Sequence, residues 1–89
     1  MTIPQLYELF KQFRSIQTDT RKLTPGDLYF ALKGEHFNGN AFAGDALNAG
    51  AAYAIIDNPS FAQGDRTIVV ADVLSTLQAL ALHHRRQFN

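Results

Sequence analysis

The sequence predicts a small α/β domain of two or three layers, with a mostly parallel sheet built on a βαβ unit. An apolar, strand-like run over 28–33 is followed by a helical pattern over 41–49 and by a second apolar run over 52–56. Two strands joined through such a helix lie parallel, because the crossover returns the chain to the end of the sheet where the first strand began. A length of 89 residues is enough for one such domain.

The first predicted element is an amphipathic helix over 3–13. Its apolar residues recur at spacings of three and four: Leu6, Leu9, Phe10 and Phe13. Thr2 precedes the helix as a capping residue, and Pro4 falls in the first turn, where a missing N–H group costs nothing. A short strand over 16–18 is expected next.

A proline–glycine turn separates this short strand from the central strand of the domain. Pro25 fixes its backbone angle φ and Gly26 permits a positive one, so a turn is expected at 25–27. In the strand over 28–33, successive side chains point to opposite faces of the sheet. The residues of the two faces are largely apolar: Leu28, Phe30 and Leu32, and Tyr29 and Ala31. We therefore expect this strand to lie in the middle of the sheet.

The helix predicted over 41–49 is expected to pack against the sheet. Three of its residues are predicted to face inward: Phe42, Ala46 and Leu47. Asn40 is a suitable N-cap for this helix, and Gly50 is a suitable residue at which to end it.

The remaining elements are two strands and a long final helix. The strands are predicted over 52–56 and 67–71. The direction of the later strand stays open, because the segment 57–66 has no helical pattern. Asp72 can cap the final helix. One stripe of that helix is formed by Val73, Leu77, Leu80 and His84.

Charge and composition exclude several functional classes. Eight basic and eight acidic residues give a net charge of zero, whereas a general nucleic-acid binder needs clustered Lys and Arg. The chain has no Cys, which rules out disulfides and thiolate metal sites. It has neither a secretory leader pattern nor an apolar run close to the roughly 20 residues of a membrane span. We expect a cytoplasmic domain without nucleic-acid or membrane partners.

The glycine-containing loop 34–40 is the first candidate site. It follows a strand and precedes a helix, where unpaired backbone N–H groups and the helix dipole favour an anion. Gly34 and Gly39 let the backbone approach a ligand closely. The alternative is an ordinary turn whose glycines serve only its geometry. The loop lacks the pattern G-x-x-x-x-G-K-S/T, so a triphosphate is not expected to bind here.

The run 18–21, with the sequence Thr-Asp-Thr-Arg, is the second candidate site. Two hydroxyls, a carboxylate and a guanidinium within four residues can recognise a sugar, a uracil edge or a phosphate. The alternative is structural, with Asp19 paired to Arg21 or with the hydroxyls closing the turn that follows.

No catalytic or metal-binding residue is predicted. The sequence contains no G-x-S-x-G, no H-E-x-x-H and no Cys nucleophile. His83 and His84 precede two arginines near the end of the final helix, where cations complement the helix dipole. Adjacent histidines on a helix point in different directions, and no third ligand stands at a plausible spacing. The pattern favours a binding domain over a catalyst.

Taken as a set, these motifs resemble the amino-terminal domain of the Mur ligases, the enzymes that build the peptide stem of bacterial peptidoglycan. The family pattern is roughly D-S/T-R, a short spacer, P-G-D-L-F-F-A-L-K-G, and then D-G-H before a helix. This chain has D-T-R over 19–21, P-G-D-L-Y-F-A-L-K-G over 25–34 and N-G-N-A-F over 38–42. The resemblance covers about residues 16–86 and implies the fold of that domain.

The resemblance implies that the parent enzyme has three domains with separate roles. The first domain of these enzymes holds the UDP part of the muramoyl precursor, a central domain binds ATP and Mg²⁺, and a third receives the incoming amino acid or dipeptide. Residues 1–89 match only the first domain, so no cofactor is expected within them. The implied partners are UDP-N-acetylmuramoyl-tripeptide and the central domain of the same parent chain. The isolated chain is expected to be inactive.

Three functions are compatible with the sequence: those of two branches of the family, and one outside the family. The motif A-L-K-G and the sequence L-Q-A-L-A…H-H-R of the final helix are most similar to those of the MurF branch. Enzymes of that branch add D-alanyl-D-alanine to the tripeptide precursor. The MurE branch, which adds the third residue of the stem, is the nearest alternative. The other alternative is a non-enzymatic interaction or regulatory module that shares the fold.

The two candidate segments and the resemblance together indicate which residues meet the UDP moiety: Thr18, Thr20, Arg21, Lys33, Gly34, Glu35, His36, Asn38 and Gly39. Thr20 stands at the Ser or Thr of D-S/T-R, which contacts the uridine diphosphate in the family. The run 38–40 departs from D-G-H at both flanking positions, where amides replace a carboxylate and an imidazole. The diphosphate is expected to be held by backbone N–H groups of the loop, with Lys33 or Arg21.

Overall fold

A computed structural model describes residues 2–12, 15–34, 37–62 and 64–87. Its helices are α1 (Ile3–Gln12), α2 (Ala43–Asn48) and α3 (Val73–Arg86). Its strands are β1 (Ile16–Gln17), β2 (Leu28–Phe30), β3 (Lys33–Gly34), β4 (Phe37–Asn38), β5 (Tyr53–Ile56) and β6 (Thr67–Val69). Short 3₁₀ turns cover Thr20–Lys22, Gly39–Phe42, Pro59–Phe61 and Gly64–Arg66.

The main sheet has four strands in the order β1-β2-β5-β6, and every neighbouring pair is parallel. Leu28 lies opposite Tyr53 across the central pair. The predicted parallel sheet and its βαβ unit are therefore confirmed. The sequence left the direction of the last strand open, and in the structure β6 runs parallel to β5. The strands β3 and β4 form a separate antiparallel hairpin.

The sheet is covered on both faces, which makes a three-layer domain. On one face α1 and α3 pack over the strands through a core cluster: Leu6, Tyr7, Leu28, Phe30, Ile55, Val73 and Leu80. On the other face α2 packs through a second cluster: Tyr29, Ala31, Ala43, Ala46, Ala51, Ala54 and Ile56. Alternation along β2 and β5 divides their apolar residues between the two clusters, as the sequence predicted for β2.

The central strand is shorter than predicted. The strand expected over 28–33 ends at Phe30, and Lys33 belongs to the β3–β4 hairpin. The Ala31 N–H still donates to Ile55 O at 2.9 Å, but the Leu32 N–H donates back to Phe30 O at 3.0 Å. A bond between residues two apart bends the chain sharply, as at many strand ends. After the bend, β3 pairs with β4 outside the main sheet.

The second helix also departs from its prediction. It begins at Ala43 after the 3₁₀ turn Gly39–Phe42, so the residues facing the sheet are Ala43 and Ala46, with Leu47 partly buried beside them. The prediction that Phe42 faces inward is wrong, since this side chain is 37 % exposed. The prediction that Asn40 caps the helix is also wrong. Asn38 caps the 3₁₀ turn instead, by accepting a hydrogen bond from the Asn40 N–H.

The other helix signals are confirmed. The Thr2 hydroxyl accepts from the Gln5 N–H and the Gln5 side chain accepts from the Thr2 N–H, which forms a capping box on α1. Asp72 caps α3 by accepting from the Ser75 N–H at 2.9 Å. His84 of the predicted stripe is hydrogen-bonded through Nδ1 to the Tyr7 hydroxyl at 2.9 Å, which links α3 to α1.

Smaller differences concern the ends of elements. The first helix ends at Gln12, and Phe13 lies outside the described residues. The last strand ends at Val69 rather than at residue 71. Gly50 follows α2 with φ of 108°, a value that suits glycine, and so ends the helix as predicted. In the described part of the chain, no helix has the length and apolar character that crossing a membrane requires.

Candidate ligand-binding site

The carboxyl ends of the parallel strands bring the candidate residues to one edge of the sheet. The run 18–21 follows β1, the loop 31–42 follows β2, and Asp57 follows β5. Ligands of open α/β sheets bind outside the carboxyl ends of the strands, because the loops there are free to carry polar groups. This edge is the natural place for a site in this fold.

A cavity of about 570 Å³ opens at this edge. It is lined by Thr18, Asp19, Thr20, Arg21 and Phe42. Its volume falls within the roughly 300–1,000 Å³ of small-molecule sites. The polar run after β1 and an aromatic side chain therefore line the same cavity, which combines hydrogen-bonding groups with an apolar surface.

Side-chain hydrogen bonds hold the polar wall of the cavity in shape. The Gln17 side chain accepts from the N–H groups of Thr18 and Asp19 at 3.0 and 3.1 Å. Asp19 then caps the 3₁₀ turn Thr20–Lys22 by accepting from the Arg21 N–H at 2.9 Å. These contacts use the N–H groups of Thr18, Asp19 and Arg21 internally, so the side-chain groups that can meet a ligand are the two hydroxyls and the guanidinium. Sequence reasoning did not identify Gln17.

Asp19 and Arg21 form a forked ion pair beside the cavity. Arg21 donates through Nε to one carboxylate oxygen at 3.1 Å and through a terminal nitrogen to the other at 3.0 Å. The side-chain hydrogen bond from Arg21 holds the pKa of Asp19 below its usual value, and the same bond raises the pKa of Arg21. The predicted structural pairing is confirmed. A guanidinium has five N–H donors, so the pair still leaves donors for an anion, and this side chain is 87 % exposed.

The end of the candidate loop, at Gly39 and Asn40, differs from the phosphate-binding arrangement that was predicted. The Gly39 N–H donates to Leu32 O at 2.8 Å, and the Asn40 N–H donates to Asn38 Oδ1 at 3.1 Å. The prediction that these two amides are open to a diphosphate is therefore wrong for this structure. The reason is the bend after β2, which folds the backbone of 31–32 onto the turn 39–42.

Gly39 is required by that close approach. A Cβ at this position would lie 2.5 Å from Leu32 O and 2.8 Å from the carbonyl carbon of Ala31. The Gly39 carbonyl accepts a hydrogen bond from the Tyr29 hydroxyl at 2.9 Å. Burial, with a smaller effect of the negative charges on Asp19 and Asp45, raises the pKa of Tyr29 to about 12, so this hydroxyl remains a donor.

Lys33, Asn38 and Gly39 do not line the cavity. Lys33 contacts Asp57, with Nζ 3.3 Å from Oδ1, and Asn38 caps the 3₁₀ turn. Gly34 pairs with Phe37 in the hairpin. Glu35 and His36 lie outside the described residues. Of the nine predicted site residues, the cavity thus brings together Thr18, Thr20 and Arg21.

Asn40 and Asp57 form a buried polar pair that the sequence analysis missed. Asn40 is 1 % exposed, and the Asp57 side chain is 3 % exposed. Burial by itself raises the pKa of Asp57, but hydrogen bonds from Asn40, from the Val73 N–H and from Lys33 outweigh that effect and lower it overall. The available signal was the position of Asp57 directly after a buried parallel strand.

Comparison with known proteins places the chain in a family. The model of the Mur ligase family, catalytic domain, matches residues 12–85. The chain belongs to the Mur ligase family. This finding confirms the resemblance drawn from the motifs of residues 16–86.

Relatives of this Mur ligase chain include ligases of two branches of the family. A UDP-N-acetylmuramoyl-tripeptide–D-alanyl-D-alanine ligase of Synechocystis is 39 % identical over 86 % of this chain. The ligase of the same name from Bacillus subtilis is 41 % identical over 74 %. A UDP-N-acetylmuramoyl-L-alanyl-D-glutamate–2,6-diaminopimelate ligase of Rickettsia typhi is 36 % identical over 81 %. The chain spans only 15–17 % of the length of these relatives.

Solved structures of MurF share the fold of this Mur ligase chain. MurF of Thermotoga maritima, in complex with ADP, superposes with a TM-score of 0.72 at 30 % identity, over 80 % of this chain and 16 % of that one. A structure of MurF from Acinetobacter baumannii gives a TM-score of 0.74 at 28 % identity, over 93 % of this chain and 21 % of that one. The predicted fold type is confirmed.

Proposed function

We propose that this chain binds the uridine diphosphate part of UDP-N-acetylmuramoyl-tripeptide, as the amino-terminal domain of a MurF-like ligase of peptidoglycan synthesis. The observation that carries the proposal is the cavity between the run 18–21 and Phe42 at the carboxyl end of β1. Membership of the family supports it, as do the relatives whose names contain UDP-N-acetylmuramoyl-tripeptide.

Each wall of the cavity suits one part of a nucleoside diphosphate. The Arg21 guanidinium can hold phosphate oxygens with donors that do not contact Asp19, because charge-assisted hydrogen bonds of this kind are strong. The Thr18 and Thr20 hydroxyls can donate to phosphate or accept from the sugar. The Phe42 ring offers a flat surface for the uracil, and stacking of a base on an aromatic ring is worth about 1–3 kcal/mol. Phe42 is thus added to the predicted site.

The predicted site residues of the loop are not among those that carry this proposal. Gly34, Glu35, His36 and Asn38 were predicted to meet the nucleotide, and Lys33 to hold a phosphate. Lys33 contacts Asp57, but its side chain is 52 % exposed, so its ammonium group can turn toward an anion. We therefore retain Lys33 as an outer phosphate contact that would act after the run 18–21 has engaged the ligand.

The proposed role is to hold the substrate. ATP supplies the activation of a carboxylate in amide-bond formation, and the sequence lacks the G-x-x-x-x-G-K-S/T pattern that cradles its phosphates. We assign ATP and Mg²⁺ to the central domain of the parent enzyme. By itself this chain is then expected to bind the precursor without joining any peptide to it.

A MurE-like ligase is the second candidate. It is favoured by the Rickettsia typhi relative, whose name contains UDP-N-acetylmuramoyl-L-alanyl-D-glutamate. The two candidates differ in the peptide and share the UDP moiety. Assaying the parent enzyme with the dipeptide and tripeptide forms of UDP-N-acetylmuramic acid distinguishes them, because each candidate extends only one of the two forms.

Titration with UDP tests the proposal. We expect progressive amide shifts at Thr18, Thr20, Arg21 and Phe42 in ¹⁵N-labelled protein at millimolar ligand. Arg21→Ala should weaken binding by about tenfold to a hundredfold, since a charge-assisted contact to phosphate is worth about 1.5–3 kcal/mol. The control is Lys22→Ala, which removes a neighbouring exposed cation outside the cavity lining.

Two outcomes would contradict the proposal. The first is the absence of shifts at these residues, which would leave the interaction or regulatory module as the better interpretation. The second is equal weakening by Arg21→Ala and Lys22→Ala, which would indicate general attraction of an anion to positive charge. Inorganic pyrophosphate, titrated in parallel, separates recognition of the phosphates from recognition of the uridine.

A further inference from the structure

We propose that Asn40 and Asp57 are positioning residues for the nucleotide site, because their paired side chains hold the turn Gly39–Phe42 so that Phe42 forms one wall of the cavity. This inference rests on the proposed UDP-binding function and deepens it. Neither side chain lines the cavity. They would act through Phe42, two residues after Asn40 in the same turn.

Asn40 is bonded through every hydrogen-bonding position of its amide. Its Oδ1 accepts from the N–H groups of Asp57 and Asn58 at 3.0 and 3.2 Å. Its Nδ2 donates to Asp57 Oδ1 and to Asn38 Oδ1, both at 2.9 Å. A primary amide has two lone pairs and two N–H donors, so all four are used. The turn is thereby joined to the chain that leaves β5.

Asp57 extends this connection to two further elements. Its Oδ2 accepts from the Val73 N–H at the first residue of α3, at 3.1 Å, and its Oδ1 lies 3.3 Å from Lys33 Nζ in β3. One buried carboxylate therefore fixes the end of a strand, the start of a helix and the base of the hairpin. Such a fully bonded buried pair gives the attached turn a defined position.

The start of the turn has separate anchors. Tyr29 donates to the Gly39 carbonyl, and the Gly39 N–H donates to Leu32 O. The Asn40 carbonyl accepts from the Ala43 N–H, which leads directly into α2. The side chain of Asn40 is thus the link between these anchors and Phe42. A binding surface needs such support, because a displacement of about 1 Å already weakens contact with a ligand.

A double-mutant cycle tests whether Asn40 acts through Phe42. We expect Asn40→Ala and Phe42→Ala each to weaken UDP binding by about tenfold, which is 1.4 kcal/mol. The double variant should bind UDP about as weakly as Phe42→Ala alone, because residues in one connected unit are not additive. Asn48→Ala, an exposed asparagine of α2, is the matched control and should bind like the wild type.

Amide hydrogen exchange without ligand tests the same inference independently. In Asn40→Ala the Asp57 and Asn58 amides lose their acceptor, so their exchange should accelerate by about tenfold or more, together with exchange at Phe42. If Asn40→Ala does not fold, Asn38→Ala replaces it, because Asn38 is exposed and its Oδ1 accepts from the N–H and the Nδ2 of Asn40. In that variant UDP affinity should fall and exchange at Phe42 should accelerate, while the Asp57 and Asn58 amides keep their acceptor.

The outcomes separate the two proposals. Failure of the wild type to bind UDP overturns the proposed function. Exchange at Phe42 in Asn40→Ala then tests, without any ligand, whether the Asn40 amide holds the turn. Binding by the wild type with additive effects of Asn40→Ala and Phe42→Ala overturns the positioning role and leaves the proposed function intact. Unchanged exchange at Phe42 in Asn40→Ala also overturns it, since the turn would then keep its place without the amide.

Discussion

Replacing Gly39 with alanine is expected to lower the free energy of unfolding by about 3 kcal/mol or more. The new Cβ would lie 2.5 Å from Leu32 O and 2.8–2.9 Å from backbone atoms of Ala31. Since these are backbone atoms within the bend after β2, no change of side-chain rotamer relieves the overlap. Domains of this size are stable by about 5–15 kcal/mol, so a large part of the total would be lost.

Urea denaturation followed by circular dichroism measures this effect. Gly64→Ala is the control, because a Cβ there has no neighbour within 4 Å and meets only the cost of a φ of 67°. That backbone cost is about 1–2 kcal/mol for a residue other than glycine. Equal destabilisation by the two substitutions would contradict the steric explanation for Gly39.

Replacing Asp57 with alanine is the second large effect, with an expected loss of about 2–4 kcal/mol in the free energy of unfolding. The Val73 N–H and the Asn40 amide would lose a buried acceptor, and Lys33 would lose its counter-charge. Asp57→Asn keeps the shape and one acceptor oxygen but sets an NH₂ donor against the Val73 N–H or against the Asn40 amide, so we expect a loss close to that of Asp57→Ala. Thermal and urea unfolding give both values.

Asp65→Ala is the matched control for this substitution. Asp65 is an exposed carboxylate in the 3₁₀ turn Gly64–Arg66, and exposed substitutions of this kind change stability by no more than about 0.5 kcal/mol. A loss at Asp57 no larger than the loss at Asp65 would show that the buried network contributes little.

The same carboxylate predicts how stability depends on pH. The pKa of Asp57 in the folded chain lies below the ordinary value of 3.8, because hydrogen bonds to its ionised form outweigh the cost of its burial. A group with a lowered folded pKa stabilises fully above its unfolded pKa, and this contribution is lost as pH falls through the folded pKa. Stability should therefore decrease as the pH is lowered below about 4.

Asp57→Asn isolates the contribution of this one group. Its stability should fall less steeply between about pH 4 and pH 2, because an amide does not titrate in this range. Asp19 and Asp72 also have lowered pKa values, each chiefly through hydrogen bonds, to Arg21 and Ser75 respectively, and contribute to the dependence that remains. Identical pH profiles for Asp57→Asn and the wild type would contradict the assignment.

The fold was predictable where its signals are local. Alternation in Leu28–Phe30 predicted a strand buried on both faces, and Asp72 predicted the start of α3. The capping box of Thr2 and Gln5 likewise involves residues three apart. In each case the interaction joins near neighbours in the sequence, so a pattern of a few residues carries the information.

The candidate site was predictable only in part. The run 18–21 was identified from its residue types, and the structure places Thr18, Thr20 and Arg21 around one cavity. Phe42 was assigned to the core because its spacing suited a helix beginning at 41. The 3₁₀ turn before α2 changes the direction of that side chain, and its geometry depends on contacts with Leu32 and Tyr29 that lie several residues away.

Residue pattern alone determined that this chain has parallel strands covered by helices, with a polar run after the first strand, and its motifs identified the family. Folding decided that Asn40 and Asp57 meet, that the Gly39 amide is used internally and that Phe42 faces a cavity. The physical reason is distance along the chain. Periodicity and capping act within one or two turns, whereas residues 17 positions apart are brought together only when parallel strands end at the same edge of a sheet.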